Sequence, residues 1–137
     1  MKKSIKAHKQ PLTNCMFSKY GDKFITASYD RLCHIWNTES GKLLSTLSGH
    51  RNAVFCLDFS RFSERELVAT GSLDWNIKVW SCSGTELLTF KDHKAEVTSV
   101  KFNPNGVHLV SSSFDKTVKM WDIEKGKLVV SMAGHDA

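Results

Sequence analysis

The sequence lacks the features that mark membrane, secreted and metal-stapled proteins. No apolar run approaches the ~18 residues needed to span a bilayer, and the opening MKKSIKAHKQ has no apolar segment of the signal-peptide kind. The cysteines, Cys15, Cys33, Cys56 and Cys82, form no C-x-x-C pair. We therefore expect small buried thiols in a reducing compartment, and neither a zinc site nor a disulfide framework.

Clustered charge is also lacking. The 137 residues include 19 Lys and Arg and 14 acidic residues, a net charge of +5, with no long run of one sign. This balance favours a soluble protein with a mild preference for acidic partners. Nucleic-acid binding is not favoured, because it usually needs a clustered basic face with interleaved aromatic residues.

Helical periodicity is absent too. Apolar residues alternate or form short blocks rich in Val, Ile, Phe and Thr, bounded by Gly, Ser, Asn and Pro, which is the pattern of strands and tight turns. The first strand of each unit is apolar on both faces and should be covered on both sides. The pattern predicts strands near 13–18, 23–28, 33–37, 42–47, 53–59, 67–72, 76–81, 85–90, 96–102, 107–112, 117–122 and 127–132.

What the sequence does contain is a repeat. The histidines His8, His50, His93 and His135 are spaced by 42, 43 and 42 residues, and a fixed period of about 40–45 residues indicates a repeat architecture. Within each of the three full units an Asp lies six residues before a Trp. These pairs are Asp30 and Trp36, Asp74 and Trp80, and Asp115 and Trp121.

A Ser or Thr accompanies each His, Asp and Trp. The candidates are Thr26 or Ser28, Thr70 or Ser72, and Ser111 or Ser113, each pair on one strand face; we place Ser28, Ser72 and Ser113 in the predicted network. Ser, His and Asp resemble a hydrolase triad, but a triad occurs once, beside an oxyanion hole. Threefold recurrence favours a structural chain from the indole through the hydroxyl and His to the Asp, which would hold a loop to its sheet.

His, followed by a strand pair with Asp six residues before Trp, at this period, resembles the WD-repeat β-propeller family over essentially the whole chain. The resemblance implies an all-β fold of three four-stranded antiparallel blades, with the first strand of each lining a central channel. It sets blades at about 8–48, 49–91 and 92–133, with 134–137 opening a further blade. The departures are Trp36-Asn37, Trp80-Ser81, Ala7-His8 and Asp92-His93, where the family has Trp-Asp and Gly-His.

A narrower resemblance lies in "KAH…PLTN", "FITASYDR", "GHRNAV" and "HKAEVTSVKFNPNG". These strings resemble the opening blades of WD-repeat proteins that assist outer dynein arm assembly. That resemblance implies a non-catalytic adaptor without cofactor or metal, in the cytoplasm or cilium, with dynein arm or intraflagellar transport components as partners. The alternatives are a substrate-receptor or RNA-associated WD-repeat subunit and a non-functional truncated fragment.

The family places the residue before each Asp on one rim of the propeller. Here those residues are apolar or aromatic, and the residue after each Asp is basic or aromatic, which is the composition of binding hot spots. We expect a partner-binding rim of Tyr29, Arg31, Leu73, Trp75, Phe114 and Lys116. His34 lies two residues before Trp36, at the position that Lys78 and Lys119 occupy in the other two units. We therefore interpret His34 as an ordinary polar strand residue.

Three blades are fewer than the four to eight that close a propeller, and His135 has no Asp after it. This count predicts a piece of a longer propeller or, alternatively, two chains that associate through open blade edges.

Overall fold

The computed structural model describes residues 4, 6–60, 66–104 and 106–133, and His135 with the predicted fourth-blade opening at 134–137 lies outside them. Every predicted strand is present and differs by at most one residue at either end. The twelve strands are β1 Leu12–Phe17, β2 Lys23–Ser28, β3 Leu32–Asn37, β4 Leu43–Ser48, β5 Val54–Phe59, β6 Leu67–Ser72, β7 Ile77–Ser81, β8 Glu86–Phe90, β9 Val97–Phe102, β10 His108–Ser113, β11 Thr117–Asp122 and β12 Lys127–Ala133.

The strands form three four-stranded antiparallel sheets, and within each sheet the neighbours follow chain order. The first sheet contains β1–β4, the second β5–β8 and the third β9–β12. Tight turns connect the strands, and glycines at positive φ occupy the β3–β4 and β11–β12 turns, at Gly41 (φ 71°) and Gly126 (φ 65°). No described residue forms a helix, so none belongs to a helix that could cross a membrane.

The core consists of two apolar layers, one between each pair of neighbouring sheets. In the first layer, Ile25, Ile35 and Leu47 of the first sheet pack with Phe59 and Trp80 of the second. The second layer repeats this arrangement between the second and third sheets. The first strands of successive sheets also contact one another, β1 with β5 and β5 with β9. The sheets thus pack face to face in an open, unclosed row.

Only the middle sheet is covered on both faces. Five of the six residues of β5 are buried, whereas most of β1 and all of β12 are exposed. The expectation that every first strand is covered on both sides therefore holds for β5 and fails for β1, because no sheet lies against its outer face.

The cysteines follow the same division. Cys33 and Cys56 are buried, Cys82 is half-buried, and Cys15 on the open face of β1 is exposed; all four are free thiols. Burial raises the pKa of the Cys56 thiol to about 12 and that of Cys82 to about 11. The expectation of buried thiols is wrong for Cys15, again because its sheet face has no neighbour.

Candidate functional site

The repeated Trp, His and Asp residues come together three times through a shared hydroxyl. In the second sheet the Trp80 indole N–H donates to Thr70 Oγ1 (2.8 Å), His50 Nε2 lies 2.7 Å from the same oxygen, and His50 Nδ1 lies 2.9 Å from Asp74 Oδ2. The first and third sheets repeat this chain with all distances between 2.7 and 3.0 Å. Their members are Trp36, Thr26, His8 and Asp30, and Trp121, Ser111, His93 and Asp115.

One hydroxyl of each predicted pair forms the link between indole and imidazole. It is Thr26, Thr70 or Ser111, and not the serine two residues later. Those serines hold the neighbouring loop instead: Ser72 Oγ donates to Ala53 O (2.8 Å) and accepts from the Asp74 N–H (3.0 Å). Ser28 Oγ likewise donates to Pro11 O and accepts from the Asp30 N–H, and Ser113 Oγ donates to Ala95 O and accepts from the Asp115 N–H. Sequence alone could not choose between the two hydroxyls because both lie on one strand face.

The network has one consistent direction of donation. The indole can only donate, so its N–H donates to the hydroxyl. We assign the hydroxyl proton to His Nε2 and the Nδ1–H to the carboxylate, because this assignment gives every group of the chain a partner. The imidazoles are at most 1% exposed and the three carboxylates 5 to 13%. A chain in which each buried group has its partner makes the junction between loop and sheet rigid.

Each carboxylate also fixes the turn that carries it. Asp74 Oδ1 accepts from the Asn76 N–H, and Oδ2 accepts from the Arg51 N–H as well as from His50. Burial alone would raise the pKa of Asp74, but these hydrogen bonds outweigh it and lower the pKa to about 2. At Asp115, burial again would raise the pKa of the carboxyl, but hydrogen bonds from Thr117, Lys94 and His93 outweigh burial and lower that pKa.

The third network has an additional member that the sequence analysis missed. Thr117 Oγ1 bonds Asp115 Oδ1 and lies 3.2 Å from His93 Nδ1. A hydroxyl two residues after the Asp was the available signal, and it occurs only in this unit.

The arrangement of hydroxyl, His and Asp has the distances of a catalytic triad, but the hydroxyl is already engaged. Thr26, Thr70 and Ser111 are 5, 0 and 1% exposed, and each accepts the indole N–H. A nucleophile needs access to a substrate carbonyl beside an oxyanion hole. These buried and saturated oxygens do not provide that access.

A buried lysine, paired with a carboxylate, lies beside each of the second and third networks. Lys78 Nζ contacts Glu86 Oε1 (2.7 Å), and Lys119 Nζ contacts Asp92 Oδ2 (2.8 Å), while both lysines are less than 10% exposed. His34 occupies the corresponding position of the first sheet. Its ring stacks on His8 with centroids 4.3 Å apart, and Nδ1 lies 2.9 Å from Thr46 Oγ1.

His8, Asp30 and His34 bring three ligand-type atoms within 4.8 Å of one another, a spacing that could suit a metal ion. Both nitrogens of His8 are hydrogen-bonded within the network, and Nδ1 of His34 is bonded to Thr46. A metal ion at this place would have to displace one of these bonds. Burial and the neighbouring His8 lower the pKa of His34, against the effect of Asp30.

The residues of the predicted rim lie on the β2–β3, β6–β7 and β10–β11 turns, which the topology brings to one end of the three sheets. The aromatic members are exposed: Tyr29 by 49%, Trp75 by 47% and Phe114 by 67%. Arg31 and Lys116 are exposed, and Leu73 is half-buried. These six residues are called the rim surface below.

The backbone of the rim surface is held tightly although its side chains are exposed. The N–H of Leu73 donates to Ala53 O (3.0 Å), and the N–H of Trp75 donates to Ser72 O (3.2 Å); the other two turns repeat both bonds. Arg31, Trp75 and Lys116 have φ values of 74°, 77° and 70°. These are the described residues other than Gly with positive φ, a conformation that costs about 1–2 kcal/mol for residues with a Cβ.

Comparison with known proteins agrees with this geometry. The family model for the WD domain, G-beta repeat, matches residues 1–37, 41–81 and 84–122. The solved structure titled "Crystal structure of RRP9 WD40 repeats" superposes with a TM-score of 0.89 at 26% identity, covering 96% of this chain and 41% of that one.

Two curated relatives are dynein assembly and nuclear distribution proteins. Nuclear distribution protein nudF 1 of Talaromyces marneffei is 31% identical over 134 residues, 96% of this chain and 29% of that protein. Dynein assembly factor with WD repeat domains 1 of Xenopus laevis is 53% identical over 58 residues, 42% of this chain and 14% of that protein. The chain thus spans less than a third of the length of these relatives.

Proposed function

Since this chain belongs to the WD-repeat family, we propose that it is a non-catalytic protein-interaction scaffold that binds its partner through the rim surface. The observation that supports this most strongly is Trp75. A large indole is presented to solvent at φ 77°, on a turn fixed by hydrogen bonds on both sides. Strained, exposed aromatic residues on a rigid base are typical of interaction sites, because the backbone of the turn is already ordered and loses little entropy on binding.

The relatives suggest the class of partner. One is named a dynein assembly factor and the other a nuclear distribution protein, so we assign this chain an adaptor role in axonemal dynein assembly. Dynein arm or intraflagellar transport components would be its partners, in the cytoplasm and the cilium. The role needs no cofactor and no metal, and the blades would run from about 8 to 48, 49 to 91 and 92 to 133.

The apolar and aromatic character of the rim surface favours a protein partner over nucleic acid. Leu73 offers aliphatic contact area that suits a protein side chain, whereas the aromatic members of the rim surface could also stack on bases. An RNA-associated or substrate-receptor role is the alternative hypothesis. It predicts RNA or a substrate protein, instead of a dynein-related component, as the ligand of the rim surface.

Capture experiments with extract from ciliated cells test the proposal. We expect Trp75→Ala with Phe114→Ala to lose the captured proteins, while the network and the unfolding transition are preserved. Tyr20→Ala is the matched control, because Tyr20 is an exposed aromatic residue (77%) on a turn at the opposite end of the sheets. Equal capture by the double variant and the control would contradict the proposal.

A further inference from the structure

A basic residue follows the network histidine in all three sheets. These residues are Lys9, Arg51 and Lys94, and all three are exposed. The backbone N–H groups of Arg51 and Lys94 donate to the Asp74 and Asp115 carboxylates at 2.9 Å. The network therefore fixes the backbone of these two residues while their charged side chains remain in solvent. Lys9, Arg51 and Lys94 are called the basic triplet below.

The basic triplet lies at the same end of the sheets as the rim surface. The described loops and turns of this end, 6–11, 29–31, 49–53, 73–75, 91–96 and 114–116, contain seven Lys and Arg, and all seven are exposed. The same segments contain five acidic residues. Three of those are the network aspartates, whose side chains are only 5 to 13% exposed, and a fourth, Asp92, is paired with Lys119. The charge that this end presents to solvent is mostly positive.

The opposite end differs. Three of its described turns, 18–23, 37–42 and 122–127, contain five lysines and four acidic residues, and three of those acids, Asp22, Glu39 and Glu124, are exposed. The excess of exposed positive charge is thus larger at the first end, because the network withdraws three carboxylates from solvent there. The two sets of segments differ little in formal charge, +2 against +1, so the difference lies in which acidic side chains remain in solvent.

We propose that this end of the molecule recognises an acidic protein segment that also carries apolar side chains. The inference rests on the proposed function and adds the chemistry of the partner. Basic side chains would attract and orient the acidic groups, and Leu73, Trp75 and Phe114 would receive the apolar ones. Arg31 lies on the turn of the first sheet, and Lys116 lies two residues after Phe114 on the turn of the third, so an extended segment that crosses the three turns would meet both kinds of contact.

Trp75 provides a direct readout. Trp75 is 47% exposed, whereas Trp36, Trp80 and Trp121 are 7, 1 and 3% exposed. A ligand without Trp that binds at the rim surface should therefore change chiefly the fluorescence of Trp75. The probes are a twelve-residue peptide of Glu with two Phe, the same peptide with Lys for Glu, and a single-stranded oligothymidine of matched charge. We expect the acidic peptide to bind with an affinity that falls as salt rises, and the basic peptide not to bind.

Charge-reversal variants locate the site. Lys9→Glu, Arg51→Glu and Lys94→Glu together should weaken binding of the acidic peptide at least tenfold. The control combines Lys19→Glu, Lys42→Glu and Lys125→Glu, which makes the same change in net charge at the opposite end and should weaken binding less than twofold. Circular dichroism and thermal unfolding of each variant confirm that the fold is retained, and single reversals replace any triple variant that fails to fold.

Three results would overturn the inference: no binding of the acidic peptide at low salt, equal losses in the two triple variants, or equally tight binding of oligothymidine, which would indicate a general polyanion site. Failure here is distinguishable from failure of the proposed function. If capture by the chain depends on Trp75 and Phe114 but not on the basic triplet, the rim surface stands as a binding site and only the acidic character of its partner is wrong.

Discussion

The hydroxyl that accepts each indole N–H is the central member of the network, because it contacts both the Trp and the His. Thr70 is fully buried and satisfies Trp80 Nε1 and His50 Nε2 at once. Removal of one hydroxyl therefore leaves two buried polar groups without a partner, and each such group costs about 1–3 kcal/mol.

Thr70→Val should consequently lower the free energy of unfolding by about 2–6 kcal/mol, since the shape is kept and both hydrogen bonds are lost. Ser72→Ala, which removes only the bonds to the loop and turn backbone, should cost about 1 kcal/mol. Urea unfolding followed by circular dichroism measures both. Thr85→Val, at an exposed position, is the control and should change stability by less than about 0.5 kcal/mol. Equal losses for Thr70→Val and Thr85→Val would contradict the assigned role.

Acid stability should depend on the same network through Asp74. Its pKa is about 2 in the folded protein against an ordinary value of 3.8, so the folded state binds its proton less readily than the unfolded state. The stabilisation is complete above pH 3.8 and is lost as the pH falls toward about 2. Urea unfolding between pH 7 and pH 2.5 measures it. Asp74→Asn should show a shallower loss of stability across this window than the parent, whereas Glu39→Gln, at an exposed carboxylate, should not.

At the scale of the strand elements, the β2–β3, β6–β7 and β10–β11 turns combine rigidity with backbone strain. Each places a residue other than Gly at φ between 70° and 77°. Such positions are usually occupied by Gly, so the turns retain side chains at a cost in stability. This is the expected compromise where a turn serves binding as well as folding.

Arg31→Gly should raise the free energy of unfolding by about 0.5–1 kcal/mol, because Gly adopts φ 74° without steric cost and this gain exceeds its greater entropy in the unfolded chain. The reciprocal test is Gly21→Ala. Gly21 has φ 72°, and an added Cβ would meet no atom within 4 Å, so its expected loss of about 1 kcal/mol is purely conformational. Denaturant unfolding of both variants should give opposite signs, and the same sign for both would refute the account.

The strands could be predicted from the sequence because Gly, Asn and Ser breaks recur at fixed places in every unit, as in "ESG", "SCSG" and "EKG". The choice between Thr70 and Ser72 could not, since residues two apart share a strand face and only the position of the Trp80 indole separates them. The exposure of Cys15 also escaped prediction. Its burial depends on a neighbouring sheet, and a strand pattern contains no information on whether that neighbour is present.

At the scale of the whole molecule, the two outer sheet faces are unlike each other. The outer face of the first sheet forms an apolar groove that includes Phe17, Phe24 and Trp36. Val110 and Met132 lie on the outer face of the third sheet, 38 and 54% exposed. Inside the molecule, the corresponding faces pack against each other twice, between the first and second and between the second and third sheets. The open face of the first sheet and the open face of the third are therefore equivalent to the two faces that pack together at each interior junction.

This match predicts that the 137-residue chain associates head to tail, with the first sheet of one copy against the third sheet of another, and two copies would give six blades. Sedimentation velocity should show a dimer whose proportion rises with concentration. Phe17→Lys and Met132→Glu should each weaken association at least tenfold, whereas Tyr20→Glu at an exposed turn should not. Mixing Phe17→Lys with Met132→Glu should restore a dimer. In the mixed dimer, one interface contains neither substitution, and the other places the introduced Lys of one copy against the introduced Glu of the other. A monomer at every concentration, or no recovery on mixing, would contradict head-to-tail pairing.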